Sequence, residues 1–138
     1  MTAKKKPLLV TAIVLVLVIT LVWIFWPGGD SGPVSSQTVT GVYSVRLSAE
    51  NPKLGTNSLA IEVSDAAGKP ATLDAVTVEP VMPQMGHAFA PVTAIADGPG
   101  RYRAAETSLP MSGQWEIDVT LRGPGGTNQA VFPLLVKN

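Results

Sequence analysis

Residues 7–26, PLLVTAIVLVLVITLVWIFW, run for twenty positions without a charge, broken only by the mild polarity of Thr11 and Thr20. At about 1.5 Å per residue, a helix of that length spans roughly 30 Å, the hydrocarbon thickness of a bilayer. In that solvent every backbone polar group must be paired within the segment, so a helix is expected despite the many β-branched residues. The run therefore predicts a transmembrane helix over 7–26 and leaves the remaining chain to form one modest domain. Lys4, Lys5 and Lys6 precede the run and no cation follows it until Arg46. That bias predicts a cytoplasmic segment 1–6 and an extracytoplasmic remainder, with Trp23 and Trp26 at the outer interface. A cleaved signal peptide is the competing reading. Its apolar stretch is shorter and ends at small residues, whereas this one ends in WIFWPGGD, which favours an uncleaved anchor in the cell membrane.

Past the run, residues 30–37, DSGPVSSQ, read as a Gly/Ser/Pro linker, and the linker as a whole is placed at 27–38. From 39 to 138 no segment keeps a period of 3.6. Short stretches rich in Val, Thr, Ile and aromatics alternate with Gly, Pro, Asn and Asp instead. Strands are expected at 39–48, 58–64, 73–79, 92–97, 102–108, 114–122 and 129–137. Leu59, Ile61 and Val63 alternate with Ala60 and Glu62. Trp115, Ile117, Val119 and Leu121 alternate with Glu116, Asp118 and Thr120. A period of two with one polar face suits a sheet covered on one side. The predicted fold is thus all-β: an antiparallel two-sheet, immunoglobulin-like sandwich of about seven strands behind one N-terminal transmembrane helix. The chain has no cysteine, so packing must hold the core, with Trp115 expected at its centre.

Ten acids and ten cations cancel, but three of those cations precede the apolar run, leaving the exterior part mildly acidic with no basic stripe. Nucleic acid is a poor partner for such a surface. GPGR at 98–101 and GPGG at 123–126 read as turns, since neither is followed by a Lys-Ser/Thr pair or a helix. Arg101 and Arg103 fit either an anionic partner or alternate positions on an exposed strand. Acid–base or nucleophilic catalysis by histidine would have to run through His87, the single histidine, and no G-x-S-x-G elbow accompanies it. An enzyme is not expected.

Residues 81–88, VMPQMGHA, concentrate what soft-donor chemistry the chain owns. Met82, Met85 and His87 lie within six residues, and the remaining non-initiator methionine, Met111, sits in the similarly punctuated loop LPMSG at 109–113. Pro83 holds Met82 extended, and Gly86 tolerates a left-handed backbone, so a shaped loop between strands is expected. If strand geometry resumes by 85, Met85 and His87 share a face; Met82 joins them only if the loop folds back. The 81–88 and 109–113 loops are separated by two expected strands, which permits them to meet at one end of a sandwich. Three thioethers and an imidazole suit Cu(I), and they disfavour zinc, calcium and magnesium. A buried turn and a docking edge remain open as alternatives, because methionine is also a common filler of cores and of adaptable surfaces.

The ordered set VMPxMGH at 81–87, GPGRYRA at 98–104 and LPMxGxWE at 109–116 resembles the FixH/YtkA-like family, over roughly residues 39 to 136. The resemblance implies a small membrane-anchored or secreted β-sandwich domain. It nominates Met82, Met85, His87 and Met111 as Cu(I) ligands. It further implies a link to copper handling, to assembly of haem–copper respiratory oxidases or to a cation-pump system. The expected partners are accordingly the lipid bilayer, through 7–26, and a respiratory oxidase or other membrane complex. The alternative function is that of a metal-free structural or interaction subunit of such a complex.

Overall fold

The computed structural model describes residues 6–25 and 34–138. Residues 1–5 and 26–33 lie outside them, and with these most of the expected cytoplasmic segment, Trp26 and the first part of the expected linker. The chain divides into two compact units, Met1–Asp30 and Ser31–Asn138.

In the first unit the apolar run forms one helix, α1 (Lys6–Phe25). The side chains described in it are those of 10–20, all of them exposed. Thr20 lies on this stretch and returns its hydroxyl to the carbonyls of Val16 and Leu17, both at 3.0 Å, so its polarity is absorbed by the helix itself. Among the described residues no helix is long and apolar enough to cross a membrane, so the expected span stands as a helix, and its role as an anchor rests on the sequence run alone.

The second unit is all-β. Its strands are β1 (Val34–Thr40), β2 (Tyr43–Ala49), β3 (Gly55–Ser64), β4 (Ala75–Met82), β5 (His87–Ala88), β6 (Val92–Thr93), β7 (Ile95–Ala96), β8 (Arg101–Leu109), β9 (Gly113–Gly123) and β10 (Gly126–Val136). They make two antiparallel five-stranded sheets. One has the order β1-β2-β3-β8-β7; the other runs β10-β9-β4-β5, with β6 also paired to β4. Among the described residues the count is ten rather than seven: the runs at 39–48 and 92–97 each divide in two, and His87–Ala88 adds a short strand where a loop was expected. The run at 39–48 is two strands, because Gly41 at φ +58° opens a two-residue turn after Thr40 and pairs it with Tyr43. The run at 92–97 is two short strands on opposite sheets, β6 on β4 and β7 on β8, with buried Ala94 at the crossing. Residues 34–38, assigned to the linker, form an edge strand in register with β2.

Alternation builds the core. Val45, Leu47, Leu59, Ile61 and Val63 point inward from the first sheet. Val76, Val78, Trp115, Ile117, Val119, Leu121, Phe132 and Leu134 do so from the second. Each such side chain contributes roughly 1.5–3 kcal/mol of burial before conformational entropy is counted. Trp115 is fully buried, as its place in the alternating strand predicts, and its indole N–H donates to the Met111 carbonyl at 3.0 Å. Pro80 lies in β4 between the residues paired to β6 and those paired to β5. It lacks an N–H, and its carbonyl instead accepts from Phe89 N at 2.8 Å. The outer side of β4 is therefore covered by two short pieces joined by a loop, and one of those pieces carries His87.

Candidate functional site

Met82 ends β4 on the inward face and is 4% exposed. The backbone there is extended (φ −107°, ψ 98°), as the following proline requires. Pro83–Met85 then form one 3-10 turn, begun by the fixed φ of Pro83 and ended by Gly86 in the left-handed region (φ 63°, ψ 22°), whose N–H donates to the Pro83 carbonyl at 3.2 Å. The chain reverses and restarts as β5 with His87 directly opposite Met82 and Ala88 opposite Val81. The loop does fold back. Directly opposed residues on antiparallel strands share a face, with β-carbons about 4.5–5.5 Å apart. It is thus Met82, rather than Met85, that shares a face with His87. Met85 stands in the turn, half its surface open to solvent, and His87 is exposed as well.

The second loop arrives at the same end of the sandwich. The Met82 methyl lies 3.6 Å from where a β-carbon on Gly113 would be, so its thioether tip rests against bare backbone at the start of β9. Met111, two residues earlier, is half-buried and packs against the core, and its carbonyl is held by the Trp115 indole. Just after β5, Phe89 tilts against Trp115 with ring centroids 5.1 Å apart, a spacing favourable for aromatic pairs. The structure therefore joins the two methionine loops through Met82 and Gly113, and the Trp115 indole holds the second of them through the Met111 carbonyl. Met82 and Met111 are packed; Met85 and His87 reach solvent.

The hairpin segment itself carries no formal charge, although β9 sets Glu116 opposite Val81 on the row next to Met82. Between Glu79 and Asp97 the sequence PVMPQMGHAFAPVTAIA has no acid, lysine or arginine. Among the described residues no group of three or more His, Cys, Asp and Glu side chains is placed to hold a metal ion; the soft donors on the two loops are three thioethers and one imidazole. Neutral sulfur and imidazole donors match a soft monovalent cation such as Cu(I). Gly113, Phe89 and Trp115 frame the site without having been nominated. The available signal was the alternation of Gly113 with Trp115, which puts both on the face where Met82 lies.

A family model described as YtkA-like matches residues 37–120. The chain belongs to the YtkA-like family. The matched span of this YtkA-like chain runs from β1 into β9 and includes the hairpin, the GPGR turn and the 109–113 loop. No curated protein and no solved structure matches the chain.

Proposed function

We propose that this YtkA-like chain is a membrane-anchored, extracytoplasmic Cu(I)-binding accessory protein, which supplies copper to a respiratory haem–copper oxidase or supports its assembly. The observation that carries the reading is the register of the β4–β5 hairpin, which sets His87 opposite Met82 and leaves Met85 open in the intervening turn. Met82, Met85, His87 and Met111 are the ligands. The two exposed donors receive the ion, and the two packed thioethers fix its position. Cu(I) is cargo, and a site with two solvent-facing donors allows it to exchange. The role is one of binding, with no catalysed reaction. Anchoring rests on the apolar run 7–26 and orientation on Lys4–Lys6. The oxidase link comes from the FixH side of the family resemblance.

A second reading has its own support: Met82 is 4% exposed and Met111 packs against the core, as gap-filling methionines would. On it the chain is a metal-free interaction subunit, and the hairpin turn with exposed Met85 docks on a larger membrane complex. Competition for Cu(I) against a colorimetric chelator separates the two, with the full chain in neutral detergent and the Met85→Ala/His87→Ala double variant beside it. Both substitutions are at exposed positions, so folding is preserved. One Cu(I) withdrawn per wild-type chain, and lost in the double variant, supports the copper reading. A folded wild type that leaves the chelator fully loaded overturns it.

A further inference from the structure

A second constellation lies in the other sheet, on its outward face. Register lines up one residue from each of four adjacent strands: Gln37 opposite Arg46, Arg46 opposite Glu62, and Glu62 opposite Arg101. Two guanidinium groups thus flank one carboxylate along a single row. They approach it only loosely, at 3.9 Å from Arg46 and 3.7 Å from Arg101, beyond hydrogen-bond reach. Arg46 uses one donor on the Gln37 side-chain oxygen at 3.2 Å. Arginine carries five donors in a planar fork, so both keep several for another acceptor.

Arg103, one step along β8 on the same face, shows the contrast. Its guanidinium is held by Asp97 at 3.0 and 3.2 Å and reaches the Ser58 hydroxyl at 3.4 Å. Sequence alone left Arg101 and Arg103 equivalent; the structure engages one and leaves the other open.

The row borders a cleft of about 240 Å³ on the outward face. One side of it is formed by two turns pinned against each other, and the other side by residues of β1 and β2. Gly100 donates no side chain, and none fits: a β-carbon there would lie 2.6 Å from the Val63 carbonyl oxygen and 2.9 Å from Pro70 Cβ. Its φ of +65° and its carbonyl's bond from Val63 N at 2.8 Å fix the GPGR turn against β3. In the adjoining turn Pro70 bridges to Ser64, and the Asp65 carboxylate accepts from Ala67 N and Lys69 N at 2.9 and 3.0 Å. The cleft is therefore preformed, and the Ser44 and Ser64 hydroxyls lie within its lining.

We infer that this cleft binds a small carboxylate, free or as an acidic side chain of a partner, between Arg46 and Arg101. Two cations and Glu62 leave one net positive charge, which matches a single negative charge better than a dianion. The forked donors pair with a planar carboxylate two at a time. Glu62 lowers affinity by competing for the same donors, which makes the contact reversible. The volume admits a side chain or a small acid.

The test follows the arginine side-chain N–H and Gly100 amide signals by NMR, in the full chain in neutral detergent, during titration with acetate at constant ionic strength. An acidic tetrapeptide and inorganic phosphate are titrated in parallel. Saturable shifts are expected with acetate or the peptide, and a tighter peptide response identifies a partner side chain as the source. Arg46→Gln and Arg101→Gln should each weaken binding by roughly threefold or more, and Glu62→Gln should strengthen it by roughly threefold, the scale of one exposed charge contact. Glu116→Gln, which makes the same charge change on the other sheet, should leave it unaltered. Unsaturated shifts, equal effects of Glu62→Gln and Glu116→Gln, or tighter binding of phosphate than of acetate each overturn the inference. Unchanged thermal unfolding of the arginine variants confirms that their effect is on binding.

Discussion

The hairpin end and the outward arginine row are built by the same device, opposed residues on paired strands, yet they are opposite chemical environments. At the hairpin, Met82 stands opposite His87 and packs its tip against the Gly113 backbone. On the other sheet, Arg46, Glu62 and Arg101 form a charged row whose side chains are 47–66% exposed. One site is continuous with the core and the other merely stands on it. Perturbations at the first should therefore propagate into stability, whereas those at the second should remain local. Soft-donor affinity and folding are coupled at one end of this domain; anion affinity and folding are separable on its outer face.

The strongest break of that comparison is Trp115→Ala. The side chain is fully buried, supports Phe89 and holds the 109–113 loop through the Met111 carbonyl. Removing it should cost about 3–5 kcal/mol in denaturant unfolding of the full chain, in line with large aromatic truncations. The same experiment on Arg101→Gln should show a change within about 0.5 kcal/mol. Comparable losses in the two variants would mean that the outward row is as structural as the core.

Met82 and Met85 sharpen the contrast within the hairpin itself. Met82→Ala should destabilise by about 2 kcal/mol, the lower range for a buried methionine, since the site lies at the end of the sandwich and can relax. Met85→Ala should leave stability within about 0.5 kcal/mol. On the copper reading both should lose Cu(I) affinity by at least about tenfold, the lower end of what even outer-shell losses cost a metal site. Chelator competition alongside unfolding decides the matter: Met85→Ala with full affinity would assign the methionines to packing and docking.

How much of each region the sequence disclosed follows from the same geometry. Met82, Met85 and His87 are near neighbours in the chain, so their clustering was visible at once, along with Trp115 at the core and the alternation in β3 and β9. Which of them share a face was not, because that depends on where the 3-10 turn ends and β5 resumes. Arg46, Glu62 and Arg101 come from three distant strands, and only the register of β2, β3 and β8 unites them. The polar run Ser35, Ser36, Gln37 carried no burial signal and read as linker, though edge strands need little burial. Val92 to Asp97 read as one strand because propensity reports extended backbone and not which sheet receives it.

Gly100 tests whether the outer cleft is preformed. Gly100→Ala forces a β-carbon onto the Val63 carbonyl at a positive φ, so the GPGR turn must shift. The expected loss is above about 1 kcal/mol, as for alanine at incompatible backbone positions. The arginine signals of the cleft should move with it, while those of His87 stay in place. A shift at His87 would show that the hairpin and the outer cleft are coupled rather than separable.

The smallest effect is the most discriminating. Glu62→Gln removes the one acid between two arginines, yet exposed ion pairs contribute only about 0.2–1 kcal/mol and lose part of that in salt. Here the contacts to both guanidinium groups are longer than a hydrogen bond, which places the expected change in unfolding below about 0.5 kcal/mol. A double-mutant cycle with Arg46→Gln, at low and at high salt, measures the pair directly. A coupling near zero at both salts means that Glu62 does not tie down its arginines and leaves their donors to a ligand. A coupling above about 1 kcal/mol that survives high salt would mean the row is a closed structural network. Its arginines would then be engaged as firmly as Arg103, and the difference between the two faces would lie in polarity alone.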